Sequence, residues 1–270
     1  MPDHPAISTE LRQWVLATRA AGHDAHAIAA LLHSHGYREE ASRLIVAEVL
    51  GRMPDTGPRG LRPRHPEAPL ADAGGHEVKV GMSLTSPTVR LLEGLVSGEE
   101  GDALIELARP RLARALTVDQ AGRQRVDTRR TSAGMFFRIG ELPLVARIEQ
   151  RIADLLRLPV EHGEGLQVLH YLPGQEYQPH YDWFDPSQPG FEAITARGGQ
   201  RVATVVMYLN TPEAGGGTAF PEAGLTIAAQ RGTAVYFAYE GGDTRSLHAG
   251  LPVERGEKWI ATKWLRERPY

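Results

Sequence analysis

The chain of 270 residues contains no cysteine. That absence excludes disulfides, zinc–thiolate sites, iron–sulfur clusters and cysteine nucleophiles, so any metal must be held by histidine and carboxylate side chains. Lysine is nearly absent too, with three residues, at 79, 258 and 263, against 27 arginines. No apolar run approaches the ~18–20 residues of a membrane span. The start, MPDHPAISTE, lacks the basic and apolar regions of a secretory signal, which sets a cytoplasmic location as the expectation. A formal charge of −3 gives no overall attraction to nucleic acid or anionic membrane. What is present, 41% hydrophobic and 23% charged residues, is the composition of a globular chain long enough for one sizeable domain and a small one.

Residues 1–52 read as a small helical module. Leu11, Trp14 and Val15, then Ile28, Leu31 and Leu32, then Ala41, Leu44, Ile45 and Val49 repeat at helical spacing, and each group stops at a glycine (Gly22, Gly36, Gly51). Residues 53–78 open with a stretch holding five prolines and four glycines over 53–75, which reads as an exposed linker. Residues 79–270 would form the main domain. TVRLLEGLVSGEEGDALIELAR (88–109) and LPLVARIEQRIADLLRL (142–158) look helical, and everything from 165 on is short β-like runs punctuated by glycine and proline. The expectation is a mainly β sandwich or barrel with helices covering one sheet.

The run YQPHYDWFD carries the first chemistry. In a strand His180 and Asp182 project to the same face and can grip one ion, but two ligands do not make a site. His248, in GGDTRSLHAGLPV, is placed to return across a barrel as a third ligand. Two histidines and one carboxylate suit the facial triad of a non-haem Fe(II) oxygenase, and a catalytic zinc site would accept them as well. Lys258 bears on the choice. Lys258, Ile260, Thr262 and Trp264 alternate onto one face of the last strand, so an ammonium is buried if that face lines the site, and a buried cation needs an anion. In a chain that otherwise prefers arginine, a lysine here suggests that a compact point charge is wanted.

Taken together, QVLHYLPGQEYQPHYDWFDP, GGQRVATVVMYLNTPEAGGGTAFPEAG, GTAVYFAY and SLHAGLPVERGEKWIATKWLRER resemble the catalytic domain of the collagen-type prolyl 4-hydroxylases, over roughly residues 85 to 268. The resemblance implies a double-stranded β-helix (jelly-roll, cupin-like) barrel and a dioxygenase using Fe(II), 2-oxoglutarate and O2, with ascorbate as an optional further cofactor. It makes His180, Asp182 and His248 the metal ligands. Lys258 would pair with the far carboxylate of 2-oxoglutarate, assisted by Tyr171 and Thr218. Trp264 and Tyr177 would lie close to the reacting centre, although strand parity sets Tyr177 on the face opposite His180. Arg201, with Arg130 and Ser132 of RRTSAG, would shape a groove for a proline-containing peptide or protein, and the products would be the hydroxylated substrate, succinate and CO2. The same residues are compatible with hydroxylation of another residue, a free amino acid or a small molecule, or with a binding protein that keeps the barrel without the chemistry.

Three features fall outside that frame. Residues 182–199, with two prolines and three glycines, read as a cover over the site. Residues 109–130 hold seven arginines against two aspartates, a run that reads first as a solvated face. The helical module faintly resembles small three-helix protein-binding bundles, and the proline-rich linker is a candidate for self-hydroxylation.

Overall fold

The computed structural model describes residues 7–20, 23, 25–50, 60–114, 116–118, 124–126, 129–239 and 243–270. They divide into two units, Met1–Arg59 and Gly60–Tyr270. In the first, α1 (Thr9–Ala20), α2 (Ala25–Ser34) and α3 (Glu39–Val49) bury Val15, Ile28, Leu32, Ile45, Val46 and Val49 against one another. Gly36, at φ 97°, ends α2 in a left-handed turn that no larger residue would favour. There the Gly36 N–H donates to the His33 carbonyl and the Tyr37 N–H to that of Leu32, pairing carbonyls the helix would otherwise orphan. Gly22, Gly51 and the linker's first residues, 53–59, lie outside the described residues.

The second unit is mainly antiparallel. It begins with β1 (Leu70–Asp72), β2 (Glu77–Leu84) and β3 (Thr88–Glu93), then α4 (Gly98–Ala108) and β4 (Ala113–Arg114). A hairpin, β5 (Leu116–Val118) and β6 (Gln124–Val126), precedes β7 (Ala133–Phe137) and α5 (Pro143–Leu156). Next come β8 (Leu166–Tyr171), β9 (Tyr177–His180), α6 (Phe191–Thr195), β10 (Arg201–Tyr208), β11 (Ala214–Gly215), β12 (Thr218–Phe220) and β13 (Leu225–Ile227). The last are β14 (Thr233–Ala238), β15 (His248–Gly250), β16 (Val253–Arg255) and β17 (Lys258–Arg266). The major sheet has the order β1-β2-β3-β14-β10-β17-β8-β7-β4, and a smaller one runs β13-β12-β15-β9. Together they form the jelly-roll barrel with covering helices.

Strand β17 shows why the sheet has two different sides. It is buried along its whole length, so both faces of the alternation must find a partner. Trp259, Ala261 and Leu265 join Leu104 and Ile105 of α4 and Val145, Ile148 and Ile152 of α5 in one core. Ile260 faces the other way, into a core inside the barrel with Tyr171, Tyr208, Phe220, Phe237 and Tyr239. The two lysines of β17 therefore point to opposite sides. Lys263, on the helix side, is 2% exposed; its Nζ meets Glu149 Oε1 of α5 at 2.5 Å and donates to the Glu164 carbonyl. Gly163 leaves the space that this lysine stem occupies; a Cβ there would collide with it.

Two expectations are corrected. Residues 88–93 are strand β3 rather than helix, because Val89 and Leu92 are needed in opposite cores and Gly94, at φ 79°, breaks the chain before α4. The helix starts only at Ser97, whose side chain accepts from the Glu100 N–H while Glu100 accepts from the Ser97 N–H, a capping box present in the sequence as S-G-E-E. The second correction is the linker. Residues 60–78 are part of the barrel unit: Leu61 N–H donates to Glu267 O, Arg64 N–H to Leu156 O, His65 Nδ1 bonds the Tyr236 hydroxyl, and β1 pairs with β2. Proline supplies extended, packed backbone there rather than an exposed spacer. Residues 182–199 carry α6 and line the cleft, and the Gln200 side chain bonds both the backbone N–H and the carbonyl of Phe184.

The Glu149–Lys263 pair yields a stability prediction. Removing one partner strands a buried charge, so Glu149→Ala should lower unfolding stability by about 3–5 kcal/mol, whereas Glu149→Leu with Lys263→Met should recover most of it. Urea denaturation midpoints of wild type, each single variant and the double variant check both values.

Candidate active site

His180, Asp182 and His248 each offer a ligand atom, and the three atoms lie within 4.8 Å of one another. Register explains the meeting: β9 pairs with β15 so that His180 stands opposite His248. Asp182 is beyond the end of β9, in a bend, and still turns inward. Its Oδ1 is 3.7 Å from His180 Nε2 and its Oδ2 3.5 Å from His248 Nε2.

The hydrogen bonds around the three decide which atoms are offered. His180 Nδ1 contacts the Gln178 carbonyl at 2.8 Å and His248 Nδ1 the Ser246 carbonyl at 3.0 Å. A carbonyl only accepts, so both Nδ1 atoms carry the proton and both Nε2 lone pairs face Asp182. Burial, together with the facing His248, holds the His180 imidazole's pKa down to about 3, which keeps that lone pair available. Burial pushes the Asp182 carboxyl up, but His248, His180 and Arg201 outweigh it and hold it down to about 2.

Behind Asp182 stands a relay that the sequence analysis missed. Thr204 Oγ1 donates to Asp182 Oδ2 at 2.7 Å, and since a carboxylate can only accept, Thr204 in turn accepts from the Tyr239 hydroxyl at 2.9 Å. Thr204 is fully buried, and burial and the Asp182 charge together push Tyr239 well above its ordinary value, so it remains a donor. The register irregularity between Arg201 and Ala203 sets Val202 and Ala203 in the helix-side core while Arg201 and Thr204 face the site. A run of valines gives no hint of that shift.

Arg201 braces the same corner. Its guanidinium donates to both oxygens of Glu164, at 2.6 and 2.9 Å, reaches the Asp182 carbonyl at 3.4 Å, and lies over the Trp264 ring at 4.3 Å. Arg266 shares Glu164 through a 2.7 Å bond from its Nε. Arg201 is thus first a structural cation, with one edge toward the site.

Lys258 is 2% exposed on the barrel side of β17. Its Nζ donates to the Gly216 carbonyl at 2.9 Å and stands 4.3 Å from the Tyr171 ring centroid. Among the described residues no carboxylate pairs with it, and burial alone holds it down to about 8. Thr218 Oγ1 accepts from the Tyr208 hydroxyl at 2.6 Å, which leaves its own proton for another acceptor. Gly250 connects this end to the histidines, since a Cβ there would lie 3.6 Å from Lys258 Nζ and 3.7 Å from Tyr177 Cβ.

On its other side the site opens into a cleft of about 1170 Å³, walled by His180, Asp182, Phe136, Trp183, Phe184 and Trp264, among others. Tyr177, Arg130 and Arg201 also line it. Tyr177 corrects the parity expectation: its ring stacks on His180 at 3.5 Å, because the β9–β15 register shifts between His248 and Gly250 and lets residues three apart share a face. Arg130 lies over Tyr177 and donates to Gln167 Oε1 at 2.8 Å. Ser132 is fully buried, and among the described residues its Oγ has no hydrogen-bond partner. Arg130 Nε, Trp183 Nε1 and Trp264 Nε1 are buried cleft donors without partners among the described residues, the condition expected of groups that wait for a ligand.

The donor set fits a divalent metal with open positions, and the unpaired Lys258 fits an anion beside it. Comparison with known proteins agrees. A profile of the 2OG-Fe(II) oxygenase superfamily matches residues 166–266, a span that includes His180, Asp182, His248 and Lys258. The chain is 40% identical over 208 residues to Probable prolyl 4-hydroxylase 10 of Arabidopsis thaliana, covering 68% of this chain and 70% of the relative. It is 38% identical over 218 residues to Prolyl 4-hydroxylase 5 of the same plant, covering 72% and 73%. Among solved structures, the viral collagen prolyl hydroxylase from Paramecium Bursaria Chlorella virus-1, in its 2OG complex, superposes with a TM-score of 0.52 at 31% identity, covering 66% of this chain and 95% of that one. The chain belongs to the prolyl 4-hydroxylase family of 2OG-Fe(II) oxygenases.

Proposed function

We propose that this protein hydroxylates a prolyl residue in a peptide or protein, consuming 2-oxoglutarate and O2 and releasing succinate and CO2. The observation that carries the cosubstrate assignment is Lys258, an ammonium buried without a carboxylate next to a donor set with open positions. Fe(II), when held by His180, Asp182 and His248, supplies the oxidising chemistry that couples cosubstrate breakdown to insertion of one oxygen atom into a C–H bond.

The chain's own residues supply the rest. The two Nδ1–carbonyl bonds fix the imidazoles with Nε2 inward, and Thr204 and Tyr239 hold Asp182 in one rotamer and in its ionised form. Lys258 receives the far carboxylate of 2-oxoglutarate, with Thr218 and Tyr171 beside it. Tyr177 and Trp264 wall the reacting centre and exclude water, and Arg130 and Arg201 keep those rings in place by stacking. Ascorbate as a reductant, a cytoplasmic setting and a protein-binding role for the helical module belong to the same proposal. Among the described residues no helix is long and apolar enough to cross a membrane.

The first test is succinate formation under air with added Fe(II) and proline-containing peptides. His180→Ala should abolish it, and wild type that makes no succinate and binds no 2-oxoglutarate would overturn the assignment. Lys258→Ala should raise the KM for 2-oxoglutarate by about tenfold or more, given that a charged hydrogen bond contributes roughly 1.5–3 kcal/mol. The sign of the pH effect follows from the same group. Lys258 is cationic below about 8, so affinity for the cosubstrate should be flat below that pH and weaken as pH rises through it. A KM profile for 2-oxoglutarate from neutral to alkaline pH reads this directly. Thr204→Val should weaken Co(II) binding by about 10–100-fold in calorimetry without turnover, with Thr204→Ser retaining most of the affinity.

A further inference from the structure

We infer that the peptide taken by this cleft carries acidic residues beside its target proline, and that Arg138 is a specificity-determining contact for them; this rests on the prolyl reading above. The chain as a whole is acidic, at −3, yet the described cleft wall carries Arg129, Arg130, Arg138, Arg197 and Arg201 against Glu164, Asp182 and Asp185. The three carboxylates are committed. Glu164 is held between Arg201 and Arg266, and Asp182 belongs to the donor set. Asp185 accepts from the N–H and hydroxyl of Ser187 and from Gln188.

Arg201 is equally committed, to Glu164; Arg130 gives one N–H to Gln167 but is buried, with only its Nε unpartnered among the described residues; and Arg197 donates to the Tyr270 carbonyl while lying over its ring. Arg138 differs. It is exposed, and among the described residues its guanidinium makes no hydrogen bond or ion pair. The carboxylate nearest in sequence, Glu141, acts on Arg138 through space but makes no hydrogen bond to its guanidinium, giving Oε1 to Arg111 and Oε2 to the backbone N–H of Arg138 itself. On either side of Arg138 the wall presents Phe136, 47% exposed, and Ile139, 37% exposed. Exposed apolar surface of this kind accepts pyrrolidine rings, and a guanidinium between its parts accepts a carboxylate through paired N–H donors. Five arginines against three carboxylates leave the described wall net positive, so a basic flank would meet net like charge. A positive cleft with apolar walls also concentrates an acidic peptide before it docks.

The experiment uses the full-length enzyme with Fe(II), 2-oxoglutarate and a set of single-proline peptides, identical except for Asp, Ala or Lys at the flanking positions. Hydroxylation is read by the mass of one added oxygen, and kcat/KM is compared for wild type, Arg138→Ala, Arg138→Glu and Arg138→Lys. Wild type should favour the Asp over the Lys peptide by about fivefold to tenfold at low salt, with the ratio shrinking as salt screens it. Arg138→Ala should erase most of that ratio, Arg138→Glu should invert it, and Arg138→Lys should keep most of it. Equal rates on all three peptides, or an Asp preference that survives Arg138→Glu, overturns the inference and leaves prolyl hydroxylation standing. If none of the peptides gains oxygen while 2-oxoglutarate turnover proceeds with a free amino acid or small molecule, the prolyl reading itself falls, and this inference with it.

Discussion

Burying an ammonium costs several kcal/mol unless an anion meets it, and strand β17 buries two. Lys263 faces the helix layer and finds Glu149 on α5. Lys258 faces the barrel and, among the described residues, finds only a carbonyl and an aromatic ring. One strand thus carries a charge whose partner is built into the protein and another whose partner must arrive. The first fixes how the sheet sits on its helices. The second leaves the barrel with an unmet demand for a small anion, next to the one cluster of metal-ligating side chains found among the described residues.

The metal-ligating cluster is organised on a different principle. Each histidine is oriented by a carbonyl two residues before it, so its ring is set by the local course of its own segment. Asp182 lies past the end of a strand and borrows its rigidity from the major sheet, through Thr204 and Tyr239. Arg201 ties the same corner to Glu164 and Arg266. The precision of the site therefore comes from the stiff sheet, while two of its three ligands come from the short strands opposite.

Much of this could be read from the sequence, and the misses have physical causes. The strands β8, β10, β14 and β17 were legible because their apolar runs are bounded by glycine and proline. His180, Asp182, His248 and Lys258 were legible because metal and anion chemistry restricts residue type so tightly. Residues 88–93 read as helix because TVRLLEGLV satisfies helical spacing until Gly94 is given its weight. Residues 60–78 read as linker because proline content says nothing about whether extended backbone packs. Strand parity set Tyr177 on the wrong face because the register shift between His248 and Gly250 moves parity by a residue, and composition does not record the shift. Thr204 and Tyr239 act through Asp182 from strands far away in sequence, so pairing register alone reveals them.

Strand β9 is the last strand of its sheet, with a short and irregular ladder to β15 and a single bridge, Arg130 to Tyr177, on its other edge. Nothing covalent can secure it, since the chain has no cysteine with which to bridge the segments around positions 180 and 248. Coordination shared by His180 and His248 would do the work of such a bridge, closing a long loop and drawing the folded state forward by mass action. The cost of losing the metal would then extend beyond lost turnover to a frayed sheet edge open to proteases, so that iron supply would govern how long the protein survives as well as how fast it works.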